Sequence, residues 1–388
     1  MTRIYLDHAA TTHLRPEAAQ AWIVAGQHVG NASSLHTSGR SARRIVEQAR
    51  ESIAEDLGVR PSAVIFTAGG TESNNLAIKG IFWARSADGG PRHIVTSAIE
   101  HHAVLDPVLW LRDHQDAEVT FLDVDSTGKV SVDQLRSLLE AGGIALVSIM
   151  WANNEIGTIQ PVQEISALCQ EFGVPFHTDA VQAFGQINLD LVGLKATAVT
   201  LSSHKIGGPV GVGALIIDPH EKVVPVTHGG GQEREIRSGT LDPASVSAFA
   251  AASRLVTLSV DAHAQEMRDI QQYLVSSVEA CVPEARLNGP APGVARLPNN
   301  IHFSFPGCEG DSLLMLLDAA GIDCSAGSAC TAGIPEPSHV LLAMGVDQKI
   351  ARASLRFSLG RGSSKEDVDH LVTVLPNAVE RAVRAGSV

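Results

Sequence analysis

Aromatic side chains are scarce: Phe, Trp and Tyr make up 4% of the 388 residues. So few rings leave little platform for stacking bases, which argues against single-stranded nucleic acid as a ligand. Positive charge is in deficit as well. Against 42 Asp and Glu stand 29 Lys and Arg, a formal net charge of −13, and with no basic stripe a nucleic-acid backbone is excluded as the main partner. No segment approaches the roughly 18–20 uninterrupted apolar residues of a membrane span. The opening MTRIYLDHAATT has no apolar h-region, so no secretory signal is expected. Cys169, Cys281, Cys308, Cys324 and Cys330 are odd in number, scattered, and form no C-x-x-C pair. That excludes a zinc finger and a disulfide framework, and points to free thiols in a reducing cytoplasm. No metal is expected either: H-E-x-x-H is missing, and the adjacent His101-His102 is not spaced for one metal face.

What the chain does have is a 44% hydrophobic content in a length beyond one core's usual reach, which predicts two domains. Strand-length apolar runs lie at Ala63–Thr67, His93–Thr96, Val119–Leu122, Ile144–Met150, Val174–His177, Val199–Leu201 and Val212–Ile217. Helical patterns alternate with them. In Arg40–Leu57, residues Ile45, Ala49, Ile53 and Leu57 share one face before Gly58, a natural helix stop. Ser131 with Gln134 reads as a capping box. The alternation predicts an α/β fold with a mostly parallel sheet covered on both faces. Residues 14–255 form the expected large domain. A smaller α+β domain takes 1–13 and 256–388, with a long helix to about Cys281 as hinge and strands at Asn300–Phe305 and Ser354–Ser358.

Open α/β sheets bind ligands at the carboxyl ends of their strands. Three unusual segments fall there. Thr67-Ala68-Gly69-Gly70-Thr71-Glu72-Ser73 is either a phosphate cradle at a helix start or a glycine turn with Thr71 as cap. Asp179, after His177-Thr178, is either a plain N-cap or a functional acid. Lys205, in Ser202-Ser203-His204-Lys205-Ile206-Gly207-Gly208, is either a surface lysine or a desolvated amine of lowered pKa. A phosphate cradle, a carboxylate for a pyridinium nitrogen and an enclosed lysine together suit pyridoxal 5′-phosphate. His101 follows a strand and could lie on the ring and shuttle protons. Cys330, in a run of Gly, Ser and Ala, suits an accessible thiol on a loop, whereas Cys324 reads as structural. Arg356, among apolar neighbours, calls for an anion, and a substrate carboxylate fits its fork.

The motifs resemble those of the cysteine desulfurases, class V members of the fold-type I pyridoxal-phosphate enzymes. They run from Tyr5-Leu6-Asp7-His8-Ala9-Ala10-Thr11-Thr12 through Gly30-Asn31-Ala32-Ser33-Ser34, Thr71-Glu72-Ser73-Asn74-Asn75 and Asn153-Asn154-Glu155. They continue with His228-Gly229-Gly230-Gly231-Gln232-Glu233 and Arg237-Ser238-Gly239-Thr240, and end near Gly360-Arg361. The resemblance implies a large domain with a mostly parallel seven-stranded sheet plus a small domain carrying the catalytic-cysteine loop. It implies Lys205 as Schiff-base lysine, Asp179 on the ring nitrogen, Gln182 on the ring hydroxyl and His101 stacked on the ring. Gly70, Thr71, Ser202 and His204 become phosphate ligands, joined by Thr240 from the neighbouring subunit of a homodimer. Asn154 and Arg356, and less directly Asn31, hold the substrate, and Cys330 carries the persulfide. The implied reaction turns L-cysteine into L-alanine and passes sulfur to an acceptor protein, an iron–sulfur scaffold or a thiolation factor, with no membrane or nucleic acid as partner. A class V aminotransferase or selenocysteine lyase is the alternative on the same fold. Ala32 replaces the family's usual proline, and no C-terminal extension for docking an iron–sulfur scaffold follows the last helix, which leaves the acceptor open.

Overall fold

The computed structural model describes residues 3–326 and 337–386. A two-residue strand, β1 (Ile4–Tyr5), precedes the first helices. The large sheet then comprises β2 (Val64–Thr67), β3 (His93–Ser97), β4 (Glu118–Leu122), β5 (Ile144–Ser148), β6 (Phe176–Asp179), β7 (Ala198–Ser202) and β8 (Gly213–Ile217). All seven predicted strands are present, in the order β2-β8-β7-β6-β5-β3-β4. Only β8 runs antiparallel to its neighbours. The strands alternate between two cores with the two-residue period of a pleated chain. Val64, Phe66, Val147 and Ile216 join a cluster with Val46, Ile53 and Phe249. Their sequence neighbours Ile65, Leu146 and Leu215 join another with Ile78, Ile81, Phe82 and Val104 on the opposite face. Helices therefore cover both faces.

Local capping sets where the helices begin. The helix Thr37–Leu57 starts earlier than its apolar stripe because the His36 side chain accepts from Gly39 N at 3.2 Å, and it stops at Gly58 in the left-handed region (φ 67°). Ser131 caps its helix by accepting from Gln134 N at 3.2 Å. The predicted box is only half formed. Ser131 N already donates to the Asp123 carbonyl, so Gln134 Oε1 accepts from Asp123 N (2.7 Å) instead.

One helix, Pro243–Cys281, joins the two halves of the molecule. Asp242 caps it and Pro243 suits its first turn. Val246, Phe249 and Val256 pack into the first cluster, whereas Met267, Ile270, Leu274 and Val278 enter a second one. By length and composition this helix could cross a membrane, which the reading of apolar runs did not register, but over half of its most apolar stretch is buried inside the protein. The second cluster is built on β9 (Arg286–Leu287), β10 (Asn300–Ser304), β11 (Ile322–Asp323) and β12 (Ser354–Ser358). The three-stranded order is β12-β10-β9, and β11 pairs in parallel with β1. Leu6 packs here with Phe303, Phe357, Leu371 and Leu375.

A buried ion pair closes the free edge of β2. Glu233 receives Arg50 Nη2 on Oε1 (2.7 Å) and Nη1 on Oε2 (2.8 Å), and Oε2 also accepts from Phe66 N (2.8 Å). The strand's outward N–H is thereby satisfied, and the 229–240 segment is fastened to the sheet. Removing one partner strands a buried charge. Glu233→Ala or Arg50→Ala should lower unfolding free energy by about 3–5 kcal/mol, measured by urea denaturation; a change under about 1 kcal/mol would contradict this assignment.

Candidate active site

Asp179 ends β6 and is 7% exposed. Its Oδ1 accepts from Val181 N (2.9 Å) and its Oδ2 from Asn74 Nδ2 (2.7 Å). One oxygen thus caps the local turn, while the carboxylate as a whole is held rigid beside the cavity. The expected cap serves a turn, since no helix starts at Asp179, and the acid also lines the cavity.

Lys205 closes the short turn Ser203–Lys205 after β7. The turn needs glycine behind it, since a Cβ on Gly208 would lie 2.0 Å from Ser203 Oγ. Lys205 Nζ donates to the carbonyls of Ala9 (2.6 Å) and Ala10 (2.7 Å). Burial first, then the Arg356 charge, push its pKa down to about 8. It is not a surface lysine. Gln182 Nε2 donates to the same Ala9 carbonyl (2.9 Å).

The helix Gly70–Ser86 starts from Gly69 with no side-chain cap, so Thr71 does not cap it. Its first N–H groups are left for a ligand. A Cβ on Gly70 would press on Val181 Cγ2 at 3.0 Å, with Ser202 Cβ at 3.7 Å, so glycine keeps this lip open. His101 caps the helix His102–Gln115, its Nδ1 accepting from Ala103 N at 3.0 Å. The side chain is exposed on the open cavity, yet desolvation by the protein around it lowers its pKa against the pull of Asp179. His204 Nδ1 meets Thr11 Oγ1 at 3.2 Å, and burial with the Lys205 charge takes its pKa down to about 4.

Gly70, Thr71, His101, Asn154, Asp179, Gln182, Ser202, His204 and Lys205 all line one cavity of about 240 Å³. Arg356 stands just behind it on β12, 4% exposed. It meets an anion, but a protein one: Nη2 donates to Asp7 Oδ1 (2.7 Å), while Nη1 donates to the Asn154 carbonyl (2.9 Å). Two expected residues lie elsewhere. Asn31 is exposed and its side chain accepts from Ser33 N (2.9 Å). Thr240 is exposed at the end of the segment fastened by Glu233. Cys330 lies outside the described residues; upstream of it, Ser325 pairs with the Arg356 backbone.

Reading the residues one by one missed three contributors. Asn74 and Asp7 sit inside motifs of the resemblance, but their partners are far away in sequence. Glu100 is fully buried, accepts from Ser97 Oγ (2.6 Å) and Met150 N (3.0 Å), and is pushed up to about 8 by burial. It ties the His101 turn to Met150 on the cavity wall. Its only signal is its place beside His101.

The family model described as "Aminotransferase class-V" matches residues 4–371. The chain belongs to the class-V aminotransferase family. Its likeness to the IscS-like cysteine desulfurase of Mycobacterium tuberculosis is 55% identity, covering 98% of this chain and 97% of that protein. Among solved structures, a NifS-like protein is 34% identical with a TM-score of 0.90, covering 98% of this chain and all of that one. A structure described as SspA in complex with cysteine is 32% identical, with a TM-score of 0.79 and coverage of 92% and 99%. These relatives put the class-V chain in the cysteine desulfurase branch.

For this class-V chain the cavity predicts an unusually reactive amine. In protein stripped of small ligands, acylation at Lys205 by an amine-directed reagent should be half-maximal near pH 8, because the amine is neutral above that value. Peptide mass spectrometry across a pH series reads this; half-reaction near the ordinary lysine value would show that the site does not desolvate the amine.

Proposed function

We propose that this chain is a cysteine desulfurase that converts L-cysteine to L-alanine and holds the sulfur as a persulfide on Cys330, using pyridoxal 5′-phosphate. The observation that carries the reading is the meeting of Lys205, Asp179 and the glycine-lipped helix start on one cavity. The donor set fits the cofactor. Gly70, Thr71, Ser202 and His204 would hold the phosphate, Asp179 the ring nitrogen, Gln182 the ring hydroxyl, and His101 the ring face. When bound, pyridoxal phosphate supplies an electron-withdrawing ring that stabilises negative charge at the substrate Cα.

The protein's own groups do the rest. Arg356 and Asn154 bind the substrate carboxylate and amino-acid backbone. The Lys205 amine, poised near pH 8, takes the Cα proton. His101, its pKa lowered by its surroundings, holds or passes a proton beside it. The Cys330 thiolate forms a bond to the substrate sulfur as the Cβ–S bond breaks; the carbon keeps that electron pair and is protonated to alanine. The persulfide then serves an acceptor protein of iron–sulfur assembly or thiolation, in a cytoplasmic homodimer. Support for the dimer comes from Thr240, which is exposed on a pinned segment and does not line its own cavity.

Reduced protein given L-cysteine should yield alanine and sulfide in equal amounts. Lys205→Ala should lose the visible absorption band, and Cys330→Ala should keep the band but release no sulfide. Unchanged turnover in Cys330→Ala would instead support an aminotransferase.

A further inference from the structure

Arg356 is a cation with almost no access to water: its side chain is 5% exposed. A guanidinium so enclosed requires an anion. Its donors are in three different states. Nη1 is taken by the Asn154 carbonyl, Nη2 by Asp7 Oδ1, and Nε is buried with no partner among the described residues. Nε and Nη2 share one edge of the planar fork, an edge that a carboxylate grips with both oxygens. Asp7 fills only half of it. The Asp7 side chain is 21% exposed, and its second oxygen has no hydrogen-bond partner among the described residues, so it can swing away without disturbing a core. Asp7 also belongs to the segment whose Ala9 and Ala10 carbonyls hold Lys205, and Asn154, on the other side of Arg356, is part of the cavity wall.

We propose that Asp7 is a resident stand-in for the substrate carboxylate, pairing Arg356 until an amino-acid carboxylate takes the Nε/Nη2 edge and displaces it. The inference rests on the desulfurase reading insofar as that reading gives Arg356 the carboxylate. Asp7 acts through Arg356, so it is a positioning residue. It keeps the fork oriented and neutralised while no substrate is bound, and it makes entry depend on a carboxylate. A ligand without one cannot offer Arg356 a replacement anion. Two carboxylates crowding one guanidinium edge repel each other, so Asp7 lowers the affinity of every carboxylate ligand and of no other kind.

The test compares holoenzyme of the natural chain with Asp7→Asn, Asp7→Glu and Arg356→Gln. Calorimetry reads the dissociation constants of L-alanine, which has the carboxylate, and cysteamine, which lacks it. In Asp7→Asn, L-alanine should bind about fivefold more tightly or better, with cysteamine unchanged and the KM for L-cysteine falling more than kcat changes. Asp7→Glu should return L-alanine to its natural affinity. Asp7→Ala carries the same expectation as Asp7→Asn and serves if that variant folds poorly. Equal weakening of L-alanine and cysteamine in the Asp7 variants would overturn the proposal, since a purely structural residue would affect both. Arg356→Gln separates the two levels. Loss of L-alanine affinity there by about tenfold, without tightening in Asp7→Asn, sinks the stand-in and leaves the desulfurase reading. Unchanged L-alanine binding in Arg356→Gln sinks the stand-in together with the carboxylate role of Arg356.

Discussion

The site depends on a lysine amine held by neutral oxygens. Lys205 is half-buried, and the direct partners of its Nζ are the Ala9 and Ala10 carbonyls, not a carboxylate. A carboxylate at that distance would favour the charged form and raise the pKa. Carbonyls satisfy the donors without that penalty, and desolvation then dominates, bringing the amine down to about 8. Arg356 pushes the same way from behind, while Asp7 and Asp179 push back. The amine is therefore tuned by Asp179 on the large sheet, Arg356 on β12 and Asp7 and the Ala9 and Ala10 carbonyls of the N-terminal segment, which crosses between the two halves. Leu6 anchors that segment in the second cluster, and the carbonyls three and four residues later reach the end of β7.

The link between the two halves rests in part on a buried arginine satisfied by main-chain oxygen. Arg296 is 1% exposed, and its guanidinium donates to the carbonyls of Pro290, Asn288 and Asn300. Burial lowers its pKa to about 10. Its backbone pairs with Thr158, and Leu297 N donates to the Gly157 carbonyl, so the 288–298 loop grips the loop after β5. The Asn154 carbonyl in that loop receives both Asn300 Nδ2 (3.0 Å) and Arg356 Nη1. A cavity wall clamped at several points has little room to relax, which is what precise orientation of a substrate requires.

The sheet was legible because burial on both faces leaves an apolar run that few other structures produce, and each of the seven runs contains or overlaps a strand. The strand-end placement of Asp179, Lys205 and His101 followed from the same pattern. What local reading could not supply is partnership across the chain. Asn74 and Asp179 are 105 residues apart, and Asp7 and Arg356 are 349 apart. No periodicity encodes such contacts. Gln134 shows the same limit at short range: the spacing was right for a capping box, yet a competing carbonyl at Asp123 had already taken the Ser131 N–H. Asn31 and Thr240 came from resemblance alone, and a single chain does not bring them to the cavity.

Charge gives the last constraint. The chain carries a formal −13, yet at the cavity and its rear wall the cations Lys205 and Arg356 stand beside the carboxylates Asp179 and Asp7. A net negative surface would repel a free carboxylate approaching from a distance, but charges beyond about 8 Å are largely screened at physiological salt. A zwitterionic amino acid, neutral overall, feels little of that field until it enters. Inside, the low dielectric magnifies what remains, and the enclosed guanidinium then acts on the carboxylate end alone. Overall acidity and an interior that pairs its cations with carboxylates are thus compatible, and together they favour zwitterions over simple anions.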